Sequence, residues 1–578
     1  MALRICLVTP FAWSQPHSVN EHVAGIAAAL RKRGHHVTVL APSNRAAELR
    51  AGRRTLEREE DVDLIAVGPA VPVTRRSQLG IPVGVRANLA LALAKGRFDI
   101  VHGFEPGLPS LSYLALREAT SLTVATFLSA ERITYPPARS RRERLLARID
   151  ALLATSEETA AVAAERFPGD YRLVSEGVDI DLFRPGAKRR LIAAEWRSPE
   201  RAVARNLIRV LPELDGWDLL LLRTKPLAGR PYLPRALRDR ITVRTARDAE
   251  TRSRLFAEAA LFVPAPGGLR RLILEAEACG ASICDPPALA AQPQLAAAAV
   301  ARLAENEALR EEEQARARSR AEKQSFARVA GELDGLYREL CRRKRAPRGR
   351  SGDPLAGREQ ILCDLHMHTS WSPDCSVTVD DLLAHAESIG LGAIAVTDHN
   401  VLGGAMEAVE RASGRDLIVI PGEEIKTDGQ GELIGLFLEK EIPLGLSFAD
   451  TVATIQEQGG LVYVPHPFDR LHSIPDAQNL RRHLADIDVF EVYNARLVFE
   501  AYNDEALRFA RKYNLTMGAG SDAHVLQGLG TGCVQMRRFE GPREFLISLH
   551  GAEIVRRPRS LVYLQSLKWA AQVKERTR

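Results

Sequence analysis

The 578-residue chain contains no apolar run of the ~18–20 residues that a membrane-spanning helix needs. Its opening, MALRICLVTP, holds an apolar stretch too short for a signal peptide and reads as a first strand. Cysteine is sparse and odd in number: seven residues, scattered along the chain, form no disulfide framework and predict a reducing, cytoplasmic setting. None of the seven is followed six residues later by arginine, which excludes the pairing that cradles phosphate in a cysteinyl-phosphate mechanism. Short repeats are absent, and so is low complexity beyond Ala- and Arg-rich segments. Charge of one sign is scarce as well. The net charge is +6, and much of it falls in CRRKRAPRGRSG, residues 341–352. That stretch reads as an exposed, solvated linker, with nucleic acid or an anionic membrane as the alternative contact.

What is present is ordinary globular composition, 46% hydrophobic and 26% charged, in a chain long enough for about three or four domains. Residues 1–185 alternate strand and helix: RICLVTP, HVTVLAP, FDIVHGFEP and LTVATF are strands, and VNEHVAGIAAALRKRGH is a helix with apolar residues at helical spacing. A second set follows over 186–341, with RRLIAAEW, DLLLLRT, ITVRTA, AALFVPAP and ASICDPP as strands and Ala- and Arg-rich helix from 291. Both sets predict parallel sheets covered by helices. The linker occupies 342–359. A third unit, 360–578, repeats short apolar strands that end in polar, metal-capable residues, the layout of a parallel β/α barrel with its site at the strand C-terminal ends.

Nine of the fourteen histidines lie in this third unit, and five of them end strands. His366 and His368 are two apart, so on a strand both imidazoles face one side and can reach one ion. Asp522 and His524 repeat that spacing in GSDAH. His399 ends AIAVTDHN, His466 ends LVYVPHP and Glu424 ends LIVIPGEEI. One histidine at a strand end is ordinary; five strand ends carrying His, Asp and Glu point to metal binding. An oxygen-and-imidazole ligand set of this kind predicts two or three divalent ions, Mn, Fe or Zn. Such ions lower the pKa of a bridging water and neutralise charge on a phosphoryl group, so phosphoester hydrolysis is the reaction class expected. Arg470 in HPFDR and Arg496 in YNAR are candidate phosphate clamps, because guanidinium matches phosphate oxygens. Cys363 and Cys375 flank the first motif and read as core and loop residues.

The stretches DLHMHTSWSPD, VTDHN, PGEEI, PHPFDR and GSDAH, in that order, resemble a PHP (polymerase and histidinol phosphatase) domain. The resemblance implies a distorted (β/α)7 barrel holding up to three divalent metals. It places His366, His368, Glu424 and Asp522 around the first metal, Glu424 and His466 on a second, and Asp374, His399 and His524 on a third. Glu432, in GELIGLFL, stands about where many members have a further histidine and is assigned as its substitute. Glu423 competes with Glu424 for the bridging role, since only strand alternation separates them. Within the family the motif series is similar to nucleotide phosphatases and 5′–3′ exonucleases, which implies a nucleotide or short oligonucleotide substrate.

Residues 1–290 resemble GT-B glycosyltransferases of the phosphatidylinositol mannosyltransferase type, on RICLVTPFAWSQPHSVNEHVAGIAAALRKRGHHVTVLAP, HGFEPGLPSLSYLAL, SEGVDIDLF and LILEAEACGASI. That implies two Rossmann-like lobes flanking a nucleotide-sugar cleft. Several working positions depart from the pattern. His17 and Ser18 replace a Gly-Gly pair, Leu128 a histidine, Gly267 a glutamate and Arg270 a glycine. Arg197 persists without its lysine partner, and Glu275 persists. The expectation is a half impaired in sugar transfer, with His22 and Glu105 as residual cleft residues. Two readings stay open: an active nucleotide-sugar-dependent transferase in a bifunctional protein, and a binding module that recognises a nucleotide, glycan or lipid head group and targets the barrel.

Overall fold

A computed structural model describes residues 2–58, 62–72, 80–197, 201–223, 231–265, 270–284, 292–344, 354–469 and 475–560, together with Tyr563 and Ser566. The chain divides into two compact units, Met1–Arg338 and Glu339–Arg578. Most of the basic linker, residues 345–353, lies outside the described residues, as do Arg470 and Gly267. No helix among the described residues is long and apolar enough to cross a membrane.

The N-terminal unit holds two parallel sheets. The first is built from β1 (Arg4–Val8), β2 (His36–Pro42), β3 (Leu64–Gly68), β6 (Ile100–Phe104), β7 (Leu122–Phe127), β8 (Ala151–Ala154) and β9 (Tyr171–Leu173), in the order β3-β2-β1-β6-β7-β8-β9. A small antiparallel hairpin, β4 (Ala70–Pro72) and β5 (Gly80–Pro82), interrupts it in sequence. The second sheet comprises β10 (Arg189–Glu195), β11 (Asp218–Arg223), β12 (Ile241–Thr245), β13 (Ala259–Val263) and β14 (Ser282–Ile283), ordered β12-β11-β10-β13-β14. Each sheet starts in its middle and winds outward both ways, so each has a switch point at the end of its first strand, where α/β sheets bind ligands. These are the two parallel sheets that the alternation predicts and the two Rossmann-like lobes that the resemblance implies. The central strands are apolar along their length, Ile5 to Val8 and Leu219 to Leu222 being fully buried, as expected of strands covered on both faces.

The C-terminal unit is one nine-stranded sheet: β15 (Gln360–Met367), β16 (Ala393–His399), β17 (Ile418–Lys426), β18 (Glu432–Leu436), β19 (Leu461–Val464), β20 (Val489–Asn494), β21 (Met517–Gly520), β22 (Gly532–Arg537) and β23 (Glu553–Arg556), ordered β21-β20-β19-β18-β17-β16-β15-β22-β23. Strands β15 to β21 curl until their ends meet. Past β21, the Asp522 N–H donates to His366 O at 2.8 Å and the His368 N–H to Ala523 O at 3.1 Å, and Met367 bridges Ala523 in parallel. The Asp364 carboxylate ties the same seam, accepting the N–H groups of Ser521 and Gly530 at 2.9 Å each. Gly520 is required there, since a Cβ at this position would collide with His366 Cβ.

The barrel is not wholly parallel, as the strand repeats alone suggest. β18 runs antiparallel to both β17 and β19. The reason is local. Only residues 427–431 separate β17 from β18, with Gly429 and Gly431 at positive φ. That is a hairpin turn, and far short of the dozen or more residues a parallel crossover needs. β22 and β23 extend the sheet beyond β15, also antiparallel.

Candidate metal centre

On β15, Cys363 and Leu365 turn into the hydrophobic core with Ala395, Ile420 and Val534, while His366 and, just past the strand end, His368 turn to a common side. Their Nε2 atoms lie 3.4 and 3.5 Å from Glu424 Oε2, and 4.0 and 3.4 Å from Asp522 Oδ1. Neither Nε2 makes a hydrogen bond, although both side chains are fully buried. The opposite ring nitrogens are anchored. His366 Nδ1 meets Glu491 Oε1 at 3.1 Å, and His368 Nδ1 meets Ser372 Oγ at 3.3 Å. The Ser372 hydroxyl donates to Asp398 at 2.6 Å, so it accepts from His368. Both rings are therefore anchored through Nδ1 and turn Nε2 toward the carboxylates, the second-shell arrangement that prepares histidine for a metal.

Glu424, in the C-terminal half of β17, is the hub. Its Oε2 also lies 3.1 Å from His399 Nδ1, and its Oε1 lies 2.9 Å from His466 Nε2. Glu423, one residue earlier, turns away and accepts the Ile442 N–H at 3.0 Å; burial pushes its pKa up to about 7. Glu424 is thus the one of the two that faces the imidazoles. Glu432 opens β18 with its Oε2 3.8 Å from His466 Nε2. His524 Nε2 lies 3.0 Å from Asp374 Oδ2, and His399 Nε2 lies 3.6 Å from Asp374 Oδ1. His399 and Asp374 are the partly exposed members, which puts them on the open side of the cluster. Arg496 donates from Nη1 to Asp522 Oδ1 at 3.1 Å and comes within 3.3 Å of His524 Nε2. His466 and Asp522 both hold positive φ, 24° and 52°, a strained backbone for residues other than glycine, and such strain clusters at functional sites.

The charges balance internally. Burial favours the neutral acid of Glu424 and of Asp522. His366 and its neighbours hold Glu424 well below the carboxylate range, and Arg496 and His366 do the same for Asp522. Burial opposes the charged form of His366 too, but Asp522, Glu424 and Glu491 hold it well above 6.5; Glu424 likewise raises His466 to about 9 against burial. His368 goes the other way: burial and His524 push it down to about 3.

Among the described residues, three sets of ligand atoms lie within 4.8 Å of one another: His366, His368 and Asp522; His366, Glu424 and His466; His368, His399 and His524. The donors are imidazole and carboxylate, aimed inward and anchored from behind, so the residues present fit a group of divalent cations. The sets interlock more than the resemblance implies, because His366 and His368 each belong to two of them.

Sequence reasoning missed Glu491. It is fully buried and accepts from His366 Nδ1, the Tyr463 hydroxyl at 2.8 Å, the His466 N–H at 2.6 Å and Asn494 Nδ2 at 3.0 Å. The available signal was a lone carboxylate inside the apolar strand DVFEVYN.

In the N-terminal unit, Glu275, Glu105 and His22, expected at a cleft, are each engaged by other side chains. Glu275 lies in the helix Arg270–Ala278 and is held by Arg252 at 2.6 and 2.8 Å and by Arg271 at 2.8 Å. Both arginines also reach Glu21 in the first lobe's helix Ser18–Lys32, at 2.8 and 3.1 Å, and Arg271 donates to Ser18 O at 2.9 Å. Glu105 is buried at φ 51° against Arg132 at 3.1 Å, and burial pushes its pKa up to about 7. His22 packs between Phe104 and Phe326.

Comparison with known proteins adds the following. Residues 19–182 match the Glycosyltransferase Family 4 model, residues 364–509 the PHP domain, and residues 500–552 the PHP-associated region. An uncharacterised protein of Methanocaldococcus jannaschii is 36% identical over 194 residues, covering 32% of this chain and 76% of its own. The phosphatidyl-myo-inositol mannosyltransferase of Propionibacterium freudenreichii subsp. shermanii is 28% identical over 302 residues, covering 49% of this chain and 76% of its own. Among solved structures, a glycosyltransferase from Rickettsia africae aligns with 58% of this chain and 98% of its own, at 16% identity and a TM-score of 0.40.

Proposed function

This chain joins a family 4 glycosyltransferase region to a PHP domain and its associated region, and from that premise we propose that it is a metal-dependent phosphoesterase acting on a nucleotide or short oligonucleotide. The observation that carries the reading is Glu424, one buried carboxylate met by four imidazoles with Asp522 alongside. His366, His368, Asp522, His466, Glu432, Asp374, His399 and His524 would hold two or three cations around it. When bound, those cations supply a hydroxide nucleophile near neutral pH and neutralise the phosphoryl and leaving oxygens. The chain's own part is to orient. Glu491 and Ser372 hold the two β15 imidazoles by Nδ1. Arg496, on the open side, offers a guanidinium to a phosphate oxygen. Arg470 is the second candidate clamp on sequence grounds.

The test is a phosphatase screen of the full-length protein with added Mn²⁺, covering mononucleotides, 3′,5′-bisphosphonucleotides, short oligonucleotides and sugar phosphates. The expected result is release of inorganic phosphate from nucleotides. Prior chelation should lower it by about two orders of magnitude or more, and Mn²⁺ should restore it. Undiminished turnover after exhaustive chelation would reject the reading.

The N-terminal half serves this activity as a glycosyltransferase-like scaffold impaired in transfer. The support is the mutual neutralisation of Glu21, Arg252, Arg271 and Glu275, in which three guanidinium N–H groups already engage both oxygens of the Glu275 carboxylate. Titration of the whole protein with GDP- and UDP-linked sugars should give no saturable binding below about 1 mM, a threshold near −4 kcal/mol. Saturable binding with transfer to an acceptor would establish the bifunctional reading instead.

A further inference from the structure

Trp371 sits on the loop between His368 and Asp374 and is 47% exposed, although an indole that size is among the most favourable side chains to bury. It is nonetheless fixed. Its Nε1–H donates to Glu407 Oε2 at 2.9 Å, and its backbone N–H donates to Thr369 Oγ1 at 3.2 Å. The ring rests on the first turn of the helix Gly403–Arg411, which follows His399. Both residues beneath it are glycine: a Cβ on Gly403 would collide with the six-membered ring, and a Cβ on Gly404 would stand 2.9 Å from Cδ1. The indole is thus supported from below by bare backbone, pinned at its edge, and open above.

Its neighbours tie it to the candidate metal centre. Thr369 gives both its N–H and its hydroxyl to Asp398, at 2.7 and 2.6 Å. Ser372, the next residue after Trp371, accepts from His368 Nδ1 and from the His399 N–H at 3.1 Å. The plate therefore stands among the chain segments that carry His368, Asp374 and His399. Asp374 and His399 are the partly exposed members of the cluster, so the plate stands on the same chain segments as the cluster's exposed residues.

We propose that Trp371 is a stacking platform for the nucleobase of the substrate, held beside the metal-ligand cluster so that a base lies on the indole while its phosphate reaches the imidazole–carboxylate group. A flat, rigid, half-exposed indole suits a planar heteroaromatic ring, and stacking of this kind accepts any base because each has a π-face. Holding the ring in advance avoids the ordering cost of binding. The inference rests on the phosphoesterase reading and narrows its substrate class.

The experiment compares adenosine 5′-monophosphate with ribose 5-phosphate, which lacks the base, using Mn²⁺-loaded full-length protein, wild type and Trp371→Ala. The KM for the nucleotide relative to that for the sugar phosphate should rise about ten-fold in Trp371→Ala, the usual scale for losing one base–aromatic stack. Trp371→Phe should recover most of that ratio, and metal content should match wild type in both. An unchanged ratio overturns the proposal, whether both KM values rise together, as for a residue that only shapes the loop, or neither moves. Wild-type protein that hydrolyses ribose 5-phosphate but no nucleotide overturns the platform and leaves the phosphoesterase standing. Wild-type protein that hydrolyses neither, nor any other phosphoester, overturns both.

Discussion

Glu424→Gln should lose at least about a thousand-fold in phosphatase turnover, because in the proposed site the substitution removes the carboxylate charge that would hold the cations while keeping the side chain's shape. Glu424 is buried, and its two oxygens meet His366, His368, His399 and His466 within 3.5 Å. A glutamine there keeps one carbonyl acceptor and replaces the other oxygen with an NH₂, which can neither accept from an imidazole nor ligate a cation. Metal content should fall from two or three ions per chain to one or none, measured by elemental analysis after desalting. Secondary structure should persist, since Glu424 caps no helix and the ladder that ties its backbone to β16 and β18 does not use its side chain. Glu423→Gln is the matched control. Among the described residues Glu423 accepts only the Ile442 N–H, and burial already holds its pKa near 7, so a neutral amide imitates a form it readily takes. Metal content and turnover should stay within about two-fold of wild type, the scale of substitutions away from the reacting groups. If Glu424→Gln kept its metals and Glu423→Gln lost them, the two carboxylates would have to exchange roles.

That contrast also marks where the sequence stops being informative. HxH at a strand end announces itself because period-two alternation places both imidazoles on one side, and the apolar strands give the barrel. Asp522 and His524 instead lie past β21, with Asp522 at positive φ, and are brought in by the seam with β15. Adjacent glutamates do not announce themselves, because the face each takes depends on the twist of β17 against β16 and β18. The hairpin that reverses β18 was legible in TDGQG, whose glycines take positive φ, yet strand repeats read by themselves favour a uniform parallel barrel. Glu491 was harder. Its role appears only once β15, β19 and β20 bring His366, Tyr463 and His466 around it, and no spacing along one strand records that. Trp371 is similar: its exposure and its glycine bed are set by a helix thirty residues on. In the N-terminal half, the departures at His17, Leu128 and Arg270 were visible, whereas the partners of Glu275 come from Arg252 and Glu21, remote in sequence.

Glu275→Ala tests those partners, and it should destabilise the N-terminal unit by roughly 3–5 kcal/mol, the cost of stranding buried charge. Glu275 is 1% exposed and Arg252 6%, with three of their hydrogen bonds at 2.6 to 2.8 Å counting the one from Arg271. Removing the carboxylate leaves two adjacent guanidiniums facing each other, with only Glu21, itself 24% exposed, to share. Glu21→Ala should cost about 1 kcal/mol, because water can reach that end of the network. Calorimetry of the full chain can separate the units, since Mn²⁺ raises the melting of the unit that binds it and leaves the other in place. The metal-insensitive transition should drop in Glu275→Ala and drop less in Glu21→Ala. Arg252→Ala combined with Glu275→Ala should be less damaging than the sum of the two singles, because each single strands the partner that the other removes. Strict additivity would mean that the four charges are independently solvated, and the N-terminal half would then have no internal reason to refuse a nucleotide sugar.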